Sequence, residues 1–281
     1  MITMPRSVAD VCCNHQGSLA TAEKMVQILA TYCDVDVIKF QKRTVEAMSK
    51  EKLERPYTGP QSFGQTYGEH RKRLEFNIQE HALLKEFCEV YNKEYCCSVW
   101  DMQAAQEIVS LAPNTIKIPS AKNTDFEMID WIKDNFHGEI HLSLGMTTPE
   151  EKHLIKKTIE SDTPKRWVVY HCTSAYPCEF QDIGLGDFEN FKSWLPEGAR
   201  AGFSGHHKGI AIDIMAFALG ATYIERHFTL DRTQKGTDHA ASLEPEGVKR
   251  LVRDLNACCE AMISLGDDMK PCEEAARSKL K

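Results

Sequence analysis

Residues 199–227 read Ala199-Arg-Ala-Gly-Phe-Ser204-Gly-His206-His-Lys-Gly-Ile-Ala-Ile-Asp-Ile-Met-Ala-Phe-Ala-Leu-Gly220-Ala-Thr-Tyr223-Ile-Glu225-Arg-His227. A short β-type run (199–204) leads into a helix-period stretch (210–219), and a second β-type run follows (223–227). Two strands joined through one helix make the crossover that parallel strands require. Both strands also finish in polar groups, Ser204-Gly-His206-His207 and Glu225-Arg226-His227. One unit therefore suggests both a parallel sheet and a chemically equipped end to it.

Outward from this unit the pattern repeats. Further β-type runs are read at 7–13, 35–40, 95–99, 115–118, 139–143 and 167–171. Helix-period stretches separate them at 19–32 (behind the N-cap residue Ser18), 78–92, 102–111, 126–136, 149–160 and 188–195, and a last helix runs from 245 to about 265. Eight strands alternating with helices predict a single-domain (β/α)8 barrel, an α/β fold that places its active site at the C-terminal ends of the strands. The barrel is expected to occupy 1–265, with 266–281 as a charged tail or linker. The connection between Lys42 and Asn77 is abnormally long and carries Pro56, Gly59-Pro60, Gly64 and Gly68. An insertion of that size after a strand reads as a lid or binding loop on the catalytic face.

Composition excludes several classes. The 281 residues include 42% hydrophobic and 27% charged side chains, enough to bury a core and too apolar for a disordered chain. The longest apolar run (214–224) is far short of the roughly 20 residues of a membrane helix. The start lacks the basic-then-apolar order of a secretory signal. A net charge of −7 argues against nucleic-acid binding, though it allows a local basic pocket. Eleven cysteines, an odd number without a C-x-x-C, read as free thiols acting as small hydrophobes in a reducing, cytoplasmic setting.

The strand ends carry the chemistry. They are Asn14-His15-Gln16-Gly17, Lys39-Phe-Gln41, Ser98-Val-Trp100-Asp101, Lys117-Ile-Pro-Ser120, Ser143-Leu-Gly-Met146, His171-Cys-Thr173-Ser174-Ala-Tyr176, and the two named above. A lysine inside an apolar strand is costly unless it meets an anion. Lys39 and Lys117 are such lysines. They either converge on a phosphate or carboxylate, helped by the hydroxyls of Ser120, Ser143, Ser174 and Ser204, or pair with an internal carboxylate or reach solvent. His206 and His227 end neighbouring strands, about 4.8 Å apart in such sheets, so both imidazoles can reach one cation. With oxygens from Asp10, Glu225 or Asp238 the set suits Mg2+, Mn2+ or Zn2+. His207, His15 and His171 compete for the same role. The polar connector 226–245 must cross the barrel mouth.

These segments, in this order, resemble the sialic acid synthases, a family that condenses phosphoenolpyruvate with N-acetylmannosamine or related sugars. Tyr67-Gly-Glu69-His70-Arg71, Gly202-Phe-Ser-Gly-His206, Glu225-Arg-His-Phe-Thr-Leu-Asp231 and Lys235-Gly-Thr-Asp238-His-Ala-Ala-Ser-Leu-Glu-Pro245 extend the likeness over nearly the whole chain. The resemblance implies that phosphoenolpyruvate contacts Lys39, Lys117, Ser143, Ser174 and Ser204, with Ser120, Gln41 and Asn14 among the substrate-binding positions. It implies a divalent metal, taken as Mn2+ or Mg2+, on His206 and His227. Tyr176 and Asp238 fall near the sugar and the reacting centre. Asp10 stands where relatives commonly have Glu, as a carboxylate able to order metal-bound water. Lys122 stands where some relatives are acidic. A homodimer is implied, without nucleic-acid or membrane partners. The antifreeze-like domain that usually follows the barrel would begin where this sequence ends.

Two other functions compete. One is a synthase that joins phosphoenolpyruvate to a phosphorylated aldose, with Lys42, Arg43, Arg71, Lys72 and Arg73 supplying a distal phosphate site. The other is a non-catalytic sugar- or partner-binding homologue, suggested by Asp10 and Lys122.

Overall fold

In a computed structural model that describes residues 4–281, eight parallel strands close into a barrel in sequence order. They are β1 (Arg6–Asp10), β2 (Val37–Lys42), β3 (Glu94–Val99), β4 (Thr115–Ile118), β5 (Glu139–Ser143), β6 (Trp167–Cys172), β7 (Arg200–Gly205) and β8 (Tyr223–His227). β8 pairs back onto β1, with Asp10 opposite His227, and closes the cylinder. The (β/α)8 architecture expected from the sequence is therefore the fold.

The pleat turns alternate residues inward. One inward layer is apolar, built from Val8, Val37, Cys96, Val168, Tyr170 and Tyr223. Gly202 makes room for it, since a Cβ there would stand 2.8 Å from the Tyr170 ring. Two residues further along their strands come Asp10, Lys39, Ser98, Cys172 and Glu225, so the next layer is polar and faces the mouth. Residues of the opposite parity, such as Ile38, Phe40, Phe203 and Ile224, are fully buried against the helices. Each contributes about 1.5–3 kcal/mol of burial.

The helical coat consists of α1 (Leu19–Ile28), α4 (Ile78–Val90), α5 (Met102–Ser110), α6 (Phe126–Asn135), α7 (Pro149–Glu160), α8 (Phe188–Trp194), α9 (Ala211–Ala218) and α10 (Pro245–Ala261). Ser18 caps α1 by accepting from Thr21, as its position predicts. Several boundaries move. β1 stops at Asp10 instead of 13, because the Asp10 side chain accepts from the Cys12 amide and Cys12 turns left-handed at φ 52°. The 19–32 helix is α-helical only to Ile28 and then loosens into a π-turn, Leu29–Cys33, ended by left-handed Asp34. α10 ends at Ala261, short of 265.

The insertion between Lys42 and Asn77 is not a bare loop. It holds a 3-10 turn (Val45–Ala47), α2 (Lys50–Glu54) and α3 (Tyr67–Leu74), the last capped by Thr66 and tied back by a Pro56–Thr66 bridge. A buried carboxylate, Glu75, accepts from both Arg43 and Arg71 and fastens the insertion to the end of β2. Across the mouth, Lys235 lies 4.9 Å over the Phe63 ring, and Gln16 donates to the Lys235 carbonyl at 3.0 Å. Three loops therefore meet above the polar layer. Beyond α10 the segment 266–281 carries an exposed helix, α11 (Glu274–Leu280). No helix among the described residues is long and apolar enough to cross a membrane.

Candidate active site

The polar layer floors a cavity of about 260 Å³ at the C-terminal mouth of the barrel. Asp10, Lys39, Gln41, Lys117, Ser120, Ser143, Ser174, Tyr176, Ser204, His206, His227 and Asp238 all line it. Asn14 does not. Its amide is buried and donates to the Phe228 carbonyl at 2.8 Å and to Ser242 Oγ at 2.9 Å, joining the β1 loop to the connector after β8.

The floor is a network of opposite charges. Lys39 Nζ lies 2.6 Å from Asp10 Oδ2 and 3.3 Å from Glu225 Oε1, and donates to Ser98 Oγ at 3.2 Å. Lys117 Nζ lies 3.1 Å from Glu225 Oε2 and 3.4 Å over the Tyr170 ring. Glu225 thus holds one lysine on each oxygen, and Ser204 Oγ donates to it at 2.9 Å. The sequence leaves open whether the lysines serve an anion or an internal carboxylate. They pair with internal carboxylates and at the same time line the cavity.

Burial opposes the Lys39 charge, but Asp10 and Glu225 outweigh it and raise its pKa well above the ordinary value. Burial would raise Glu225; the two ammoniums reverse that and hold its carboxyl well below the usual carboxylate range. For Lys117 burial outweighs the attraction of Glu225, Lys39 adds repulsion, and its pKa falls. Two cations and two carboxylates leave this floor balanced, so a bound anion needs positive charge from elsewhere.

Above it sit the two histidines. Their ring centroids are 4.9 Å apart, and Tyr176 covers both, at 4.2 Å from His206 and 5.6 Å from His227. His206 Nδ1 lies 2.8 Å from the Thr173 carbonyl, which only accepts, so Nδ1 carries the proton and Nε2 keeps its lone pair. Burial lowers the His206 pKa to about 3, which keeps the ring neutral as a metal ligand must be. His227 Nε2 lies 3.7 Å from Asp10 Oδ2, and its buried Nδ1 has no hydrogen-bond partner. Donor atoms of Asp10, Cys12 and His227 all lie within 4.8 Å of one another. A carboxylate, a thiol and an imidazole gathered this closely are a donor set that fits a divalent cation. Cys12 was invisible as a site residue in the sequence, where Val11-Cys-Cys13 reads as apolar filling.

The competing histidines go elsewhere. His207 contacts Arg226 and Asp213 outside the barrel wall, at 3.2 Å and 3.3 Å. His15 stacks on Phe76, and His171 donates to the Ile183 carbonyl among phenylalanines. Arg43 lines the cavity wall, 3.5 Å over the Trp100 ring. Of the basic residues in the long insertion, Lys42 pairs with Glu107 at 2.8 Å, and Arg43 and Arg71 share Glu75.

A family model for NeuB matches residues 25–267. The chain belongs to the NeuB family. Among curated relatives, N-acetylneuraminate-9-phosphate synthase of Homo sapiens is 34% identical over 274 residues, which cover 97% of this chain and 75% of the relative. N,N'-diacetyllegionaminic acid synthase of Legionella pneumophila is 30% identical over 262 residues, 88% of this chain and 70% of the relative. The solved N-acetylneuraminic acid synthetase of Leptospira borgpetersenii, in complex with citrate, superposes with a TM-score of 0.82 at 25% identity, covering 99% of this chain and 91% of that one. These relatives are synthases of sugar acids by name.

Proposed function

We propose that this NeuB-family chain condenses phosphoenolpyruvate with an open-chain N-acyl hexosamine of the N-acetylmannosamine type, adding water and releasing phosphate. The product is a nine-carbon 2-keto-3-deoxy sugar acid. The observation that carries the reading is the floor, where Lys39 and Lys117, from β2 and β4, converge on Glu225 beneath the hydroxyls of Ser120, Ser143, Ser174 and Ser204. Lys39 and Lys117 would hold the carboxylate and phosphate by charge, and the hydroxyls would fix their orientation. Glu225 and Asp10 keep both ammoniums in place before substrate arrives. His206, His227 and Asp10 would hold a divalent cation, whose contribution when bound is Lewis-acid polarisation of the sugar aldehyde. It would also supply the surplus positive charge that the balanced floor lacks. Tyr176 and Asp238, on facing loops at the rim, would position the sugar.

A second reading, that the aldose carries a 6-phosphate, is favoured by two observations. Three carbons of phosphoenolpyruvate precede the six of the sugar, so a 9-phosphate product, as in the name of the human relative, comes from a 6-phosphorylated aldose. Beyond Arg43 on the cavity wall, Lys52 has its pKa lowered by partial burial and by the charges of Lys122, Arg43, Arg55 and Arg71, a basic rim.

The test is phosphate release from phosphoenolpyruvate by the purified chain, with a divalent cation and a panel of N-acyl hexosamines and their 6-phosphates. Release with one class and not the other selects between the readings. Phosphoenolpyruvate binding without release for any aldose would leave only a binding homologue.

A further inference from the structure

Cys12 is the one residue near the cation site that neither charge balance nor substrate contact explains. It is fully buried, at 1% exposure, and holds a left-handed φ of 52° that a side chain adopts only at some cost. Its thiol makes one weak contact, donating to the Asp10 carbonyl at 3.5 Å. Its sulfur belongs to the group of donors, with Asp10 and His227, that lie within 4.8 Å of one another.

We propose that Cys12 adds a sulfur ligand to the cation site of Asp10 and His227, biasing it towards thiophilic ions such as Zn2+ and Co2+ over Mg2+ and Mn2+. The proposal rests on the reading that the barrel mouth holds a divalent cation, and deepens it by naming the ion class.

The distances suit it. Metal–sulfur, metal–nitrogen and metal–oxygen bonds to zinc are about 2.3, 2.0 and 2.1 Å. Asp10 Oδ2 and His227 Nε2, 3.7 Å apart, already stand at the separation of two ligands on one ion. Two such ligands on a tetrahedral ion stand about 3.6 Å apart, so bringing in a sulfur from within 4.8 Å takes at most about 1.2 Å of closure. His206, with its ring 4.9 Å from that of His227 and its proton held on Nδ1, supplies a further nitrogen. Lys39 does not block entry. It can leave Asp10 Oδ2 for Glu225 Oε1 and Ser98 Oγ, which it already contacts at 3.3 and 3.2 Å. On binding, the Cys12 S–H bond breaks, the proton goes to solvent and the thiolate pair goes to the ion. Thiolate selects borderline-soft ions, whereas Mg2+ prefers an all-oxygen shell.

The experiment titrates the chelator-stripped full chain with Zn2+, Mn2+ and Co2+ in competition with a chromophoric chelator, alongside Cys12→Ser and Cys172→Ser. Cys172→Ser controls for the thiol that lines the cavity itself. Cobalt binding to the wild-type chain should give a near-ultraviolet sulfur-to-metal charge-transfer band. Cys12→Ser should abolish that band and weaken Zn2+ by about tenfold or more, while Mn2+ changes little; Cys172→Ser should keep both. Cobalt bound without the band, or Zn2+ affinity unchanged in Cys12→Ser, overturns the sulfur ligand and leaves the cation reading standing. If no ion binds the wild-type chain, both fail. The wild-type cobalt spectrum decides the point even if the variant fails to fold.

Discussion

Oδ2 of Asp10 and Nζ of Lys39 form a 2.6 Å ion pair whose side chains are only 3% and 4% exposed. Such a pair does little for stability as a pair, but removing one member strands the other charge. Asp10→Ala leaves Lys39 with Glu225 alone, already shared with Lys117. The expected cost is about 3 kcal/mol in urea unfolding. A loss below about 1 kcal/mol would mean that Glu225 suffices for both lysines and that Asp10 belongs to the cation site only.

Acid sensitivity should start well above the carboxylate range. His81 is completely buried, lies 2.8 Å from the Tyr95 hydroxyl and has its pKa lowered by burial and by Lys42 to about 3. The unfolded chain takes up this proton near pH 6.5 and the folded chain does not. Stability is therefore full above about 6.5 and lost as pH falls from there towards 3, by up to about 1.4 kcal/mol per pH unit. His81→Gln, which keeps a partner for Tyr95, should reduce the slope of unfolding free energy between pH 6.5 and 5 by up to about 1.4 kcal/mol per pH unit, leaving the share of His15, His141 and His206, whose pKa values burial also lowers. An unchanged slope would place the protonation elsewhere.

Much of this could be read in the chain because strand period and chemistry coincide. A lysine flanked by isoleucines, as in Ile116-Lys117-Ile118, announces an inward charge, and Ser204, His206, Glu225 and His227 fall on one parity of their strands. What stayed hidden depended on partners distant in sequence. The basic run around Lys42, Arg43 and Arg71 reads as three free cations, whereas Glu107 and Glu75 pair with all three and only Arg43 of them lines the cavity. Asn14 reads as a substrate contact, but its amide is used to join two loops. Cys12 reads as apolar because the β-type run of the sequence continues through 13. Its left-handed turn, not its residue type, is what brings its sulfur near Asp10 and His227.

Arg43 should separate the two aldose readings. Its guanidinium stacks on Trp100 at the cavity wall and pairs with Glu75 through one nitrogen. Arg43→Lys keeps a cation but loses both the planar stack and the fork that grips a phosphate. With a 6-phosphorylated aldose, KM for the sugar should rise about tenfold while KM for phosphoenolpyruvate stays within a factor of two. An equal effect on phosphorylated and unphosphorylated sugars would assign Arg43 to anchoring the insertion.

Gly145 controls the hydroxyl wall. A Cβ at this position would collide with Ser174 Oγ and stand 2.7 Å from Ser120 Oγ, the group that accepts from the Gly145 amide at 3.1 Å. Gly145→Ala must therefore displace both hydroxyls from their present positions. Ser174 Oγ is buried without a hydrogen-bond partner, the condition of a donor that waits for a ligand. Ser174→Ala accordingly removes no internal bond, and should leave unfolding free energy within about 0.5 kcal/mol of wild type. A hydrogen bond to a charged acceptor contributes about 1.5–3 kcal/mol, so phosphoenolpyruvate should bind roughly tenfold to a hundredfold more weakly to either variant. Gly145→Ala should bear an added loss of about 1–3 kcal/mol in stability from overpacking, which Ser174→Ala avoids. Wild-type phosphoenolpyruvate affinity in the stable Ser174→Ala protein would take this wall out of the anion site and leave its anchoring to Lys39, Lys117, Ser143 and Ser204.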